Sequence, residues 1–527
     1  MFQCYIKGAS WCALIIFIIV LNYPNVVDSF IFPAGDARNN FTTKRTFIAA
    51  VYEHAVVLPP HTLAPVSRQK AVNNMMVNIR VYQERAKEAA SQNADILVFP
   101  EDGVYGMDWS GRRQFLFPYL EYIPDPAELQ WNPCDNPGLF PDTEIQQSLS
   151  CMAKENNLYV VANVGDKQPC NQTADPHCPH TGFFQYNTDV VYAPDGTLVM
   201  KYHKYNLFFE NQFDKPPNGG VPVFETPFGR FGVFTCFDIL FEHPPIDLIT
   251  IHNVTSIAFP TAWMDAGPFF NSIQFHSAFA AGHRVNVLAA NIHYPEKRFH
   301  GSGIYTPSGA AAFYYNSTVK SVPKLLVKEI PVVGRIDELS SNSRDGLIKP
   351  GSVLRFSGNL FTADLFHDKF NLVRLTDASG HNEVCHNKIC CHASYRTTHM
   401  STQGEHFSNT TDGQYFALGA FDGLHTYQGS YYIQVCTIIR CKGQGSARQC
   451  NDEVDSPMTV DMMRFELSGN FSTPFIYPEV LLQREGDFGL TSYPNLWSYA
   501  GGRLTSDHQL NYPLNVAALF GRCYDWD

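Results

Sequence analysis

Strand-like and helix-like segments alternate through residues 47–331, and this pattern constrains the fold more than any other feature of the sequence. Segment 47–57 is β-branched and aromatic, which is typical of a strand, and apolar residues recur with helical spacing after Ser67, a favourable N-cap. Further strands and helices are predicted in the same alternation as far as residue 294. Repeated β-α-β spacing predicts an α/β domain.

The residue composition of the chain changes at about residue 332. Strand-like segments such as 414–423 and 429–441 lie between turns rich in glycine, aspartate and serine, and cysteines become frequent. A chain of 527 residues also exceeds what one core usually organises. We therefore predict an α/β domain over residues 30–331, followed by a smaller, mainly β, disulfide-braced domain over residues 332–527.

The first 29 residues have the pattern of a signal peptide. Lys7 supplies a positive charge, residues 11–21 form an apolar run too short to span a bilayer comfortably, and Ser29 precedes a plausible cleavage point. An uncleaved anchor is the alternative. No later segment is apolar enough for a membrane helix, and the charged C-terminal end does not resemble a lipid-anchor signal. We expect a secreted, soluble protein without a membrane anchor.

Glycosylation sequons agree with secretion, because six occur in the chain. They begin at Asn40, Asn171, Asn253, Asn316, Asn409 and Asn470. The formal net charge of −12 argues against nucleic acid and anionic membranes as partners. A small molecule is the expected partner, and a monomer the expected state.

Of the fourteen cysteines, twelve follow the signal peptide, and in an oxidising compartment they are expected to form disulfides. Cys134 with Cys151, and Cys170 with Cys178, are separated by short loop-like segments and predict local disulfides. If Cys236 stays reduced, one more cysteine must be free or intermolecular. The segments 385–392 and 177–180 have zinc-like content, but disulfides compete for their sulfurs. No metal and no cofactor is expected.

Three apolar strands of the α/β part end in a polar, reactive residue: Glu101, Lys204 and Cys236. Active sites of open α/β sheets assemble at strand ends. Taken singly, each residue has an ordinary structural role, because such acids cap helices, such lysines face solvent and such cysteines pack as small hydrophobes. None of the three by itself indicates catalysis.

The order and context of these residues resemble a known family. The strings that carry the resemblance are FPEDG, WNPC, QYNTDVV, YHKYNLFFENQFD, FGVFTCFDILF, FPTAWM, NIHYP, GSGIY and FDGLHTYQGSYYIQVC. They are similar to the vanin/biotinidase branch of the nitrilase superfamily from about Phe47 to the C-terminus. The resemblance implies a nitrilase-like α-β-β-α sandwich followed by the mainly β domain typical of this branch.

The resemblance also implies roles for individual residues. Glu101 would be the general base, Lys204 the oxyanion stabiliser and Cys236 the nucleophile, with Glu210 orienting the lysine. The backbone N–H of Phe237 would help to hold the oxyanion. The implied reaction is hydrolysis of a linear amide through a thioester. Trp263 is a candidate wall of the substrate pocket, with a core position as the alternative.

The branch holds two activities, pantetheine hydrolysis to pantothenate and cysteamine, and biocytin hydrolysis to biotin and lysine. The segment 259–295 resembles the pantetheinases more closely, whereas FPEDG and the absence of a lipid-anchor tail resemble biotinidase. We expect pantetheine, with biocytin as the alternative. A secreted carrier that uses an inactive nitrilase fold is a third hypothesis, although all three triad positions hold the required residue.

Overall fold

A computed structural model describes residues 45–109, 111–334, 360–399, 413–443, 449–450, 460–484, 486–491, 493–506 and 509–527. These residues belong to one compact unit, Lys44–Asp527. The predicted signal peptide and the sequons at Asn40 and Asn409 lie outside them.

The N-terminal part contains twelve strands and five α-helices among its described residues. The strands are β1 (Thr46–Glu53), β2 (Ile96–Val98), β3 (Tyr159–Pro169), β4 (Phe183–Tyr192), β5 (Leu198–His203), β6 (Val223–Thr226), β7 (Gly229–Val233), β8 (Ser256–Thr261), β9 (Asn286–Asn291), β10 (Ser302–Thr306), β11 (Gly309–Tyr314) and β12 (Lys324–Pro331). The helices are α1 (Arg68–Ser91), α2 (Arg113–Leu116), α3 (Glu144–Asn156), α4 (Pro245–Thr250) and α5 (Ser272–His283). Short 3-10 turns cover Phe117–Tyr119, Cys236–Leu240 and Pro295–Lys297.

These strands form two six-stranded sheets, in the orders β12-β1-β2-β3-β4-β5 and β11-β10-β9-β8-β7-β6. Alternate residues of a strand face opposite sides of its sheet. Accordingly, Val51 and Val98 share an apolar cluster with Val233 of the second sheet, whereas Ala50 and Leu97 pack in the cluster that contains α1 and α3. Helix α5 packs against β9 and β10 on the second sheet. The predicted α-β-β-α sandwich is confirmed.

The C-terminal part consists almost entirely of strands. They are β13 (Leu360–Leu365), β14 (Asp368–Arg374), β15 (Ser379–His386), β16 (Ile389–His399), β17 (Tyr415–His425), β18 (Tyr431–Lys442), β19 (Gln449–Cys450), β20 (Val460–Gly469), β21 (Ile476–Arg484), β22 (Asp487–Gly489), β23 (Ser498–Ala500), β24 (Arg503–Ser506) and β25 (Leu514–Arg522). A last 3-10 turn covers Tyr524–Trp526. One sheet has the order β13-β14-β17-β18-β25-β21-β22, with β19 beside β18, and the other has the order β15-β16-β20-β24-β23. The predicted mainly β domain is confirmed.

Helix α5 joins the two parts, because it packs closely on β21. A side chain at Gly282 of this helix would place its Cβ only 2.5 Å from the carbonyl oxygen of Ile476, so the close approach requires glycine. About two turns earlier in the same helix, Gln274 Nε2 donates a 2.6 Å hydrogen bond to Glu479 Oε2, and both residues are buried. The C-terminal sheet therefore covers the outer face of α5.

Five disulfides connect ten of the cysteines in the described residues. They are Cys134–Cys151, Cys170–Cys178, Cys385–Cys390, Cys391–Cys436 and Cys441–Cys450. The two predicted local disulfides are confirmed. Cys236 is a free thiol, and Cys523 is the one further unpaired cysteine that was expected. The sulfurs of the zinc-like segments are therefore all engaged in disulfides.

No helix in the described ranges is both long enough and apolar enough to cross a bilayer.

Candidate active site

The three predicted triad residues line one cavity of about 270 Å³. Glu101 follows β2 by three residues, Lys204 comes directly after β5, and Cys236 follows β7 by three residues. The backbone N–H of Lys204 donates a 2.8 Å hydrogen bond to the carbonyl of Asn187, which fixes the start of its loop to β4. Residues separated by 135 positions in the chain thus meet at one end of the sandwich.

Cys236 lies on a sharp turn between β7 and a single 3-10 turn. Its φ angle of +47° is in the left-handed region, which costs a non-glycine residue free energy. A capping box formed by Thr235 and Asp238 holds this turn. Asp238 also accepts hydrogen bonds from Tyr202 Oη at 2.8 Å and from the backbone N–H of Asn206 at 2.8 Å. The surrounding hydrogen bonds therefore impose the turn that places the thiol in the cavity.

Lys204 lies between two carboxylates. Its Nζ is 2.7 Å from Glu101 Oε1 and 2.7 Å from Glu210 Oε2. The side chains of Lys204 and Glu101 are each only 2% exposed, so both charges depend on these partners rather than on water. Burial alone would lower the pKa of Lys204, but Glu101 and Glu210 outweigh it and raise that pKa well above its usual value. Lys204 is therefore a cation at any physiological pH.

Two further hydrogen bonds fix the carboxylate of Glu101. Asn187 Nδ2 donates to Glu101 Oε1 at 2.8 Å and to Glu210 Oε1 at 2.7 Å, so one amide joins both acids. The backbone N–H of Ala262 donates to Glu101 Oε2 at 2.9 Å. Sequence reasoning did not identify Asn187, although the string QYNTDVV that contains it contributes to the family resemblance.

The thiol of Cys236 is neutral at physiological pH. Burial and the nearby charge of Glu101 raise its pKa well above the usual value, and the charge of Lys204 lowers it only partly. Its proton therefore has to leave as the sulfur attacks, and a base must be at hand. Glu101, whose Oε2 accepts the Ala262 N–H at 2.9 Å, lines the same cavity as the thiol and is the nearest candidate for that base.

A buried polar layer lies behind the triad. Asn163 Nδ2 donates to Asn187 Oδ1 at 2.6 Å and to Asp189 Oδ1 at 2.8 Å, and Thr235 Oγ1 donates to Asp189 Oδ2 at 2.6 Å. Burial raises the pKa of Asp189 to about 8, although the bonds from Thr235 and Asn163 oppose it. This layer links β3 and β4 of the first sheet to the Cys236 turn of the second.

Aromatic side chains form about half of the remaining cavity wall. Trp263 and Phe237 line it from the N-terminal part. Trp263 is also packed within the core, since its ring stacks on Phe275 and its Nε1 donates to the carbonyl of Phe270 at 2.8 Å. Trp263 therefore both lines the cavity and packs in the core, and its contact with substrate stays a prediction.

The C-terminal part also reaches the cavity, through Phe366, Gln428 and Tyr431. Sequence reasoning missed these residues, because they lie on turns and strand ends at least 130 positions from the nearest triad residue, Cys236.

The sequons inside the described ranges lie at or near the surface. Asn171, Asn253 and Asn470 are exposed, and Asn316 is half-buried. Within those same ranges, no cluster of three or more histidine, cysteine, aspartate or glutamate side chains could hold a metal ion.

Two family models match the chain. Residues 64–250 match the carbon-nitrogen hydrolase model, and residues 360–527 match the vanin C-terminal domain model. The predicted triad residues Glu101, Lys204 and Cys236 all lie within the first match.

The chain is also similar to characterised proteins along most of its length. Pantetheinase from Canis lupus familiaris is 44% identical over 92% of this chain and 90% of that protein. Human pantetheinase is 43% identical with the same coverage, and biotinidase from Takifugu rubripes is 38% identical over 92% of this chain and 95% of its own. A solved amidase from Nesterenkonia sp. AN1 has 17% identity and a TM-score of 0.38, and covers 55% of this chain and 92% of its own.

The family models and the relatives of 38–44% identity agree with the α-β-β-α sandwich and the attached mainly β domain. The chain belongs to the vanin/biotinidase branch of the carbon-nitrogen hydrolase (nitrilase) family, and it is a hydrolase of carbon–nitrogen bonds other than peptide bonds.

Proposed function

We propose that Cys236, Glu101 and Lys204 act as nucleophile, base and oxyanion stabiliser in the hydrolysis of a linear amide. The observation that carries this proposal is the Lys204–Glu101 ion pair of 2.7 Å in the same cavity as the reduced Cys236. A structural role would not require a left-handed turn that presents a free thiol to a cavity.

The proposed reaction has two steps, acylation of Cys236 and hydrolysis of the resulting thioester. Glu101 takes the thiol proton as Cys236 Sγ bonds to the carbonyl carbon, and it returns that proton to the departing amine as the C–N bond breaks. Water then attacks the thioester, Glu101 takes a proton from it, and the sulfur leaves with that proton. In both steps Lys204 and the backbone N–H of Phe237 stabilise the negative oxygen of the tetrahedral intermediate.

The proposed substrate is pantetheine, which yields pantothenate and cysteamine. Support comes from the pantetheinases at 43–44% identity over most of the chain, compared with 37–38% for the biotinidases. The aromatic cavity wall suits an uncharged acyl chain. Biocytin is the alternative, because the biotinidases belong to the same branch.

We further propose that the protein is secreted, glycosylated and monomeric. Five disulfides support an oxidising compartment. Exposed sequons at Asn171, Asn253 and Asn470 support glycosylation. We also propose that the domains divide at about residue 331.

The test is a side-by-side hydrolysis assay of the purified protein with pantetheine and biocytin, together with the variants Cys236→Ser and Cys523→Ser. We expect faster cleavage of pantetheine, its loss in Cys236→Ser and its retention in Cys523→Ser, which removes the other free thiol. Faster cleavage of biocytin would replace the substrate assignment. Full activity of Cys236→Ser would refute the proposed mechanism.

A further inference from the structure

Phe209 is an exposed aromatic residue at the opening of the catalytic cavity. Of the described residues that line this cavity, it is the only one that is largely exposed, at 65%. Its φ angle of +53° lies in the left-handed region, which costs a residue with a Cβ atom free energy. Neither burial in a core nor backbone preference therefore explains a phenylalanine at this position.

The ring of Phe209 extends an apolar surface from the nucleophile towards solvent. It lies 4.9 Å from the ring of Phe208, and the ring of Phe208 lies 5.0 Å from that of Phe237, measured between centroids. Phe208 and Phe237 both line the cavity, and Phe237 directly follows Cys236 in the chain. A group that leaves the cavity past Phe209 therefore meets aromatic rings on its way out.

The chain around Phe209 is tied to the carboxylates of the site. The backbone N–H of Phe208 donates a 3.0 Å hydrogen bond to Oε2 of Glu210, which directly follows Phe209. Asn187 Nδ2 joins the same Glu210 carboxylate to that of Glu101. The opening at Phe209 thus lies on the side of the site where Glu101 would move protons in the proposed mechanism.

The order of the proposed reaction directs one end of the substrate to this opening. When Glu101 returns its proton to the amine and the C–N bond breaks, the acyl group stays on Cys236 as a thioester, and only the amine is free to leave. Water must then reach the thioester beside Glu101, in the space that the amine has left. Amine departure and water entry therefore share the side of the cavity that opens at Phe209.

We propose that Phe209 is a specificity-determining residue for the departing amine, and that its ring packs against the carbon chain of that amine in the bound substrate. The favoured substrates are amides whose amine carries an uncharged, apolar chain. Selection by apolar and aromatic contact gives a polar chain less binding free energy. The proposal rests on the proposed function, because it takes amides of pantothenic acid as substrates.

The experiment compares two amides of pantothenic acid that differ only in the amine, 2-phenylethylamine or ethanolamine. Both form the same thioester on Cys236, so the ratio of their kcat/KM values reports only on the steps up to release of the amine. We expect the wild-type protein to prefer the phenylethyl amide. Phe209→Asn removes the ring and suits the left-handed backbone, and it should reduce that preference about two- to tenfold, the effect of one aromatic pair.

Ile251→Asn is the matched control, because Ile251 is 63% exposed and is not among the residues that line the cavity. Pantetheine and N-acetyl-β-alanyl-cysteamine share the amine and differ in the acyl group, and the preference between them should stay unchanged in Phe209→Asn. An unchanged amine preference would overturn the role of Phe209, and so would an equal change in the acyl preference. Both results leave the proposed function intact, whereas a wild-type protein that cleaves no amide of pantothenic acid would overturn both proposals.

Discussion

Lys204 shows how much of the chemistry one residue can determine. Its ammonium group has three N–H donors. Two of them are directed to Glu101 and Glu210, each at 2.7 Å, and these ion pairs fix the nitrogen in the cavity wall. In the proposed mechanism, the third donor is available to the oxygen of the amide substrate. Charge on that oxygen would develop only as Cys236 attacks, so Lys204 would stabilise the transition state more than the substrate.

We therefore expect Lys204→Met to lose at least about 10²–10³ in kcat, the usual effect of one lost oxyanion donor, with little change in KM. Lys204→Arg should not restore activity, because a planar guanidinium does not replace a compact ammonium between two acids. Steady-state kinetics on pantetheine measure kcat and KM of both variants, and thermal unfolding checks that they are folded. Near-normal kcat with a raised KM would mean that Lys204 only binds substrate.

The residues of the site differ in how far sequence alone could identify them. Glu101, Lys204 and Cys236 follow apolar strands, and active sites of α/β folds assemble at strand ends, so their proximity could be predicted. The pattern does not show that β2 and β5 lie in one sheet and β7 in the other. Asn187 lies inside β4 and reads as an ordinary strand residue until Glu101 and Glu210 are seen on either side of it. Its role depends on tertiary distances that no local pattern encodes.

For the N-terminal part, the sequence predicts which segments are helices and strands better than it predicts where each begins and ends. The expected helix after Ser67 begins there, and the Ser67 hydroxyl accepts the N–H of Lys70. The strand-like segment 94–102 contains only the three-residue strand β2, because Pro100 has no N–H to donate and the chain then turns to carry Glu101 into the cavity. Pairing partners decide where a strand ends, and these are distant in sequence.

Asp189 of strand β4 should make the stability of the protein depend on pH. Its carboxyl accepts a hydrogen bond from Thr235, which precedes Cys236. Burial raises the pKa of Asp189 to about 8, whereas an unfolded aspartate titrates near 3.9. The folded state therefore holds a proton that the unfolded state releases between these values. Stability from this group is complete below about pH 4 and is lost as the pH rises towards 8.

Asp189→Asn removes the titration and keeps the side-chain shape. We expect the unfolding free energy of the wild type, relative to this variant, to fall by on the order of 1 kcal/mol per pH unit between pH 5 and 7. Urea unfolding with intact disulfides measures this difference. Asp195→Asn, on the exposed turn between β4 and β5, is the control for an exposed carboxylate. Parallel pH curves for the wild type and Asp189→Asn would contradict the raised pKa.

On the scale of the whole molecule, the catalytic sandwich and the C-terminal sheet share one core. Phe275 of α5 and Phe520 of β25 belong to the same apolar cluster as Val233 beside the catalytic turn. Arg522, at the end of β25, is fully buried, and its Nε donates a 2.7 Å hydrogen bond to the carbonyl of Leu240. Leu240 ends the 3-10 turn that begins at Cys236. Strand β25 of the C-terminal part thus holds the far end of the Cys236 turn.

Arg522→Ala tests this connection. The change leaves the Leu240 carbonyl and the Asp527 carboxylate, which pairs with Arg522 Nη2 at 2.7 Å, without their partner. Leaving the buried Leu240 carbonyl without its donor costs about 1–3 kcal/mol, so we expect the thermal midpoint to fall by a few degrees. Because the lost bond also releases the Cys236 turn, kcat should fall even at temperatures well below that midpoint.

Arg503→Ala provides the comparison, since Arg503 pairs with Glu466 at 3.1 Å in a solvent-exposed ion pair of the same C-terminal part. Exposed pairs contribute about 0–1 kcal/mol, so both the midpoint and kcat should change little. The decisive measurement is kcat of folded Arg522→Ala at low temperature. A normal value would mean that the C-terminal part stabilises the sandwich without positioning the nucleophile, because the turn would then keep its left-handed geometry through Thr235 and Asp238 alone.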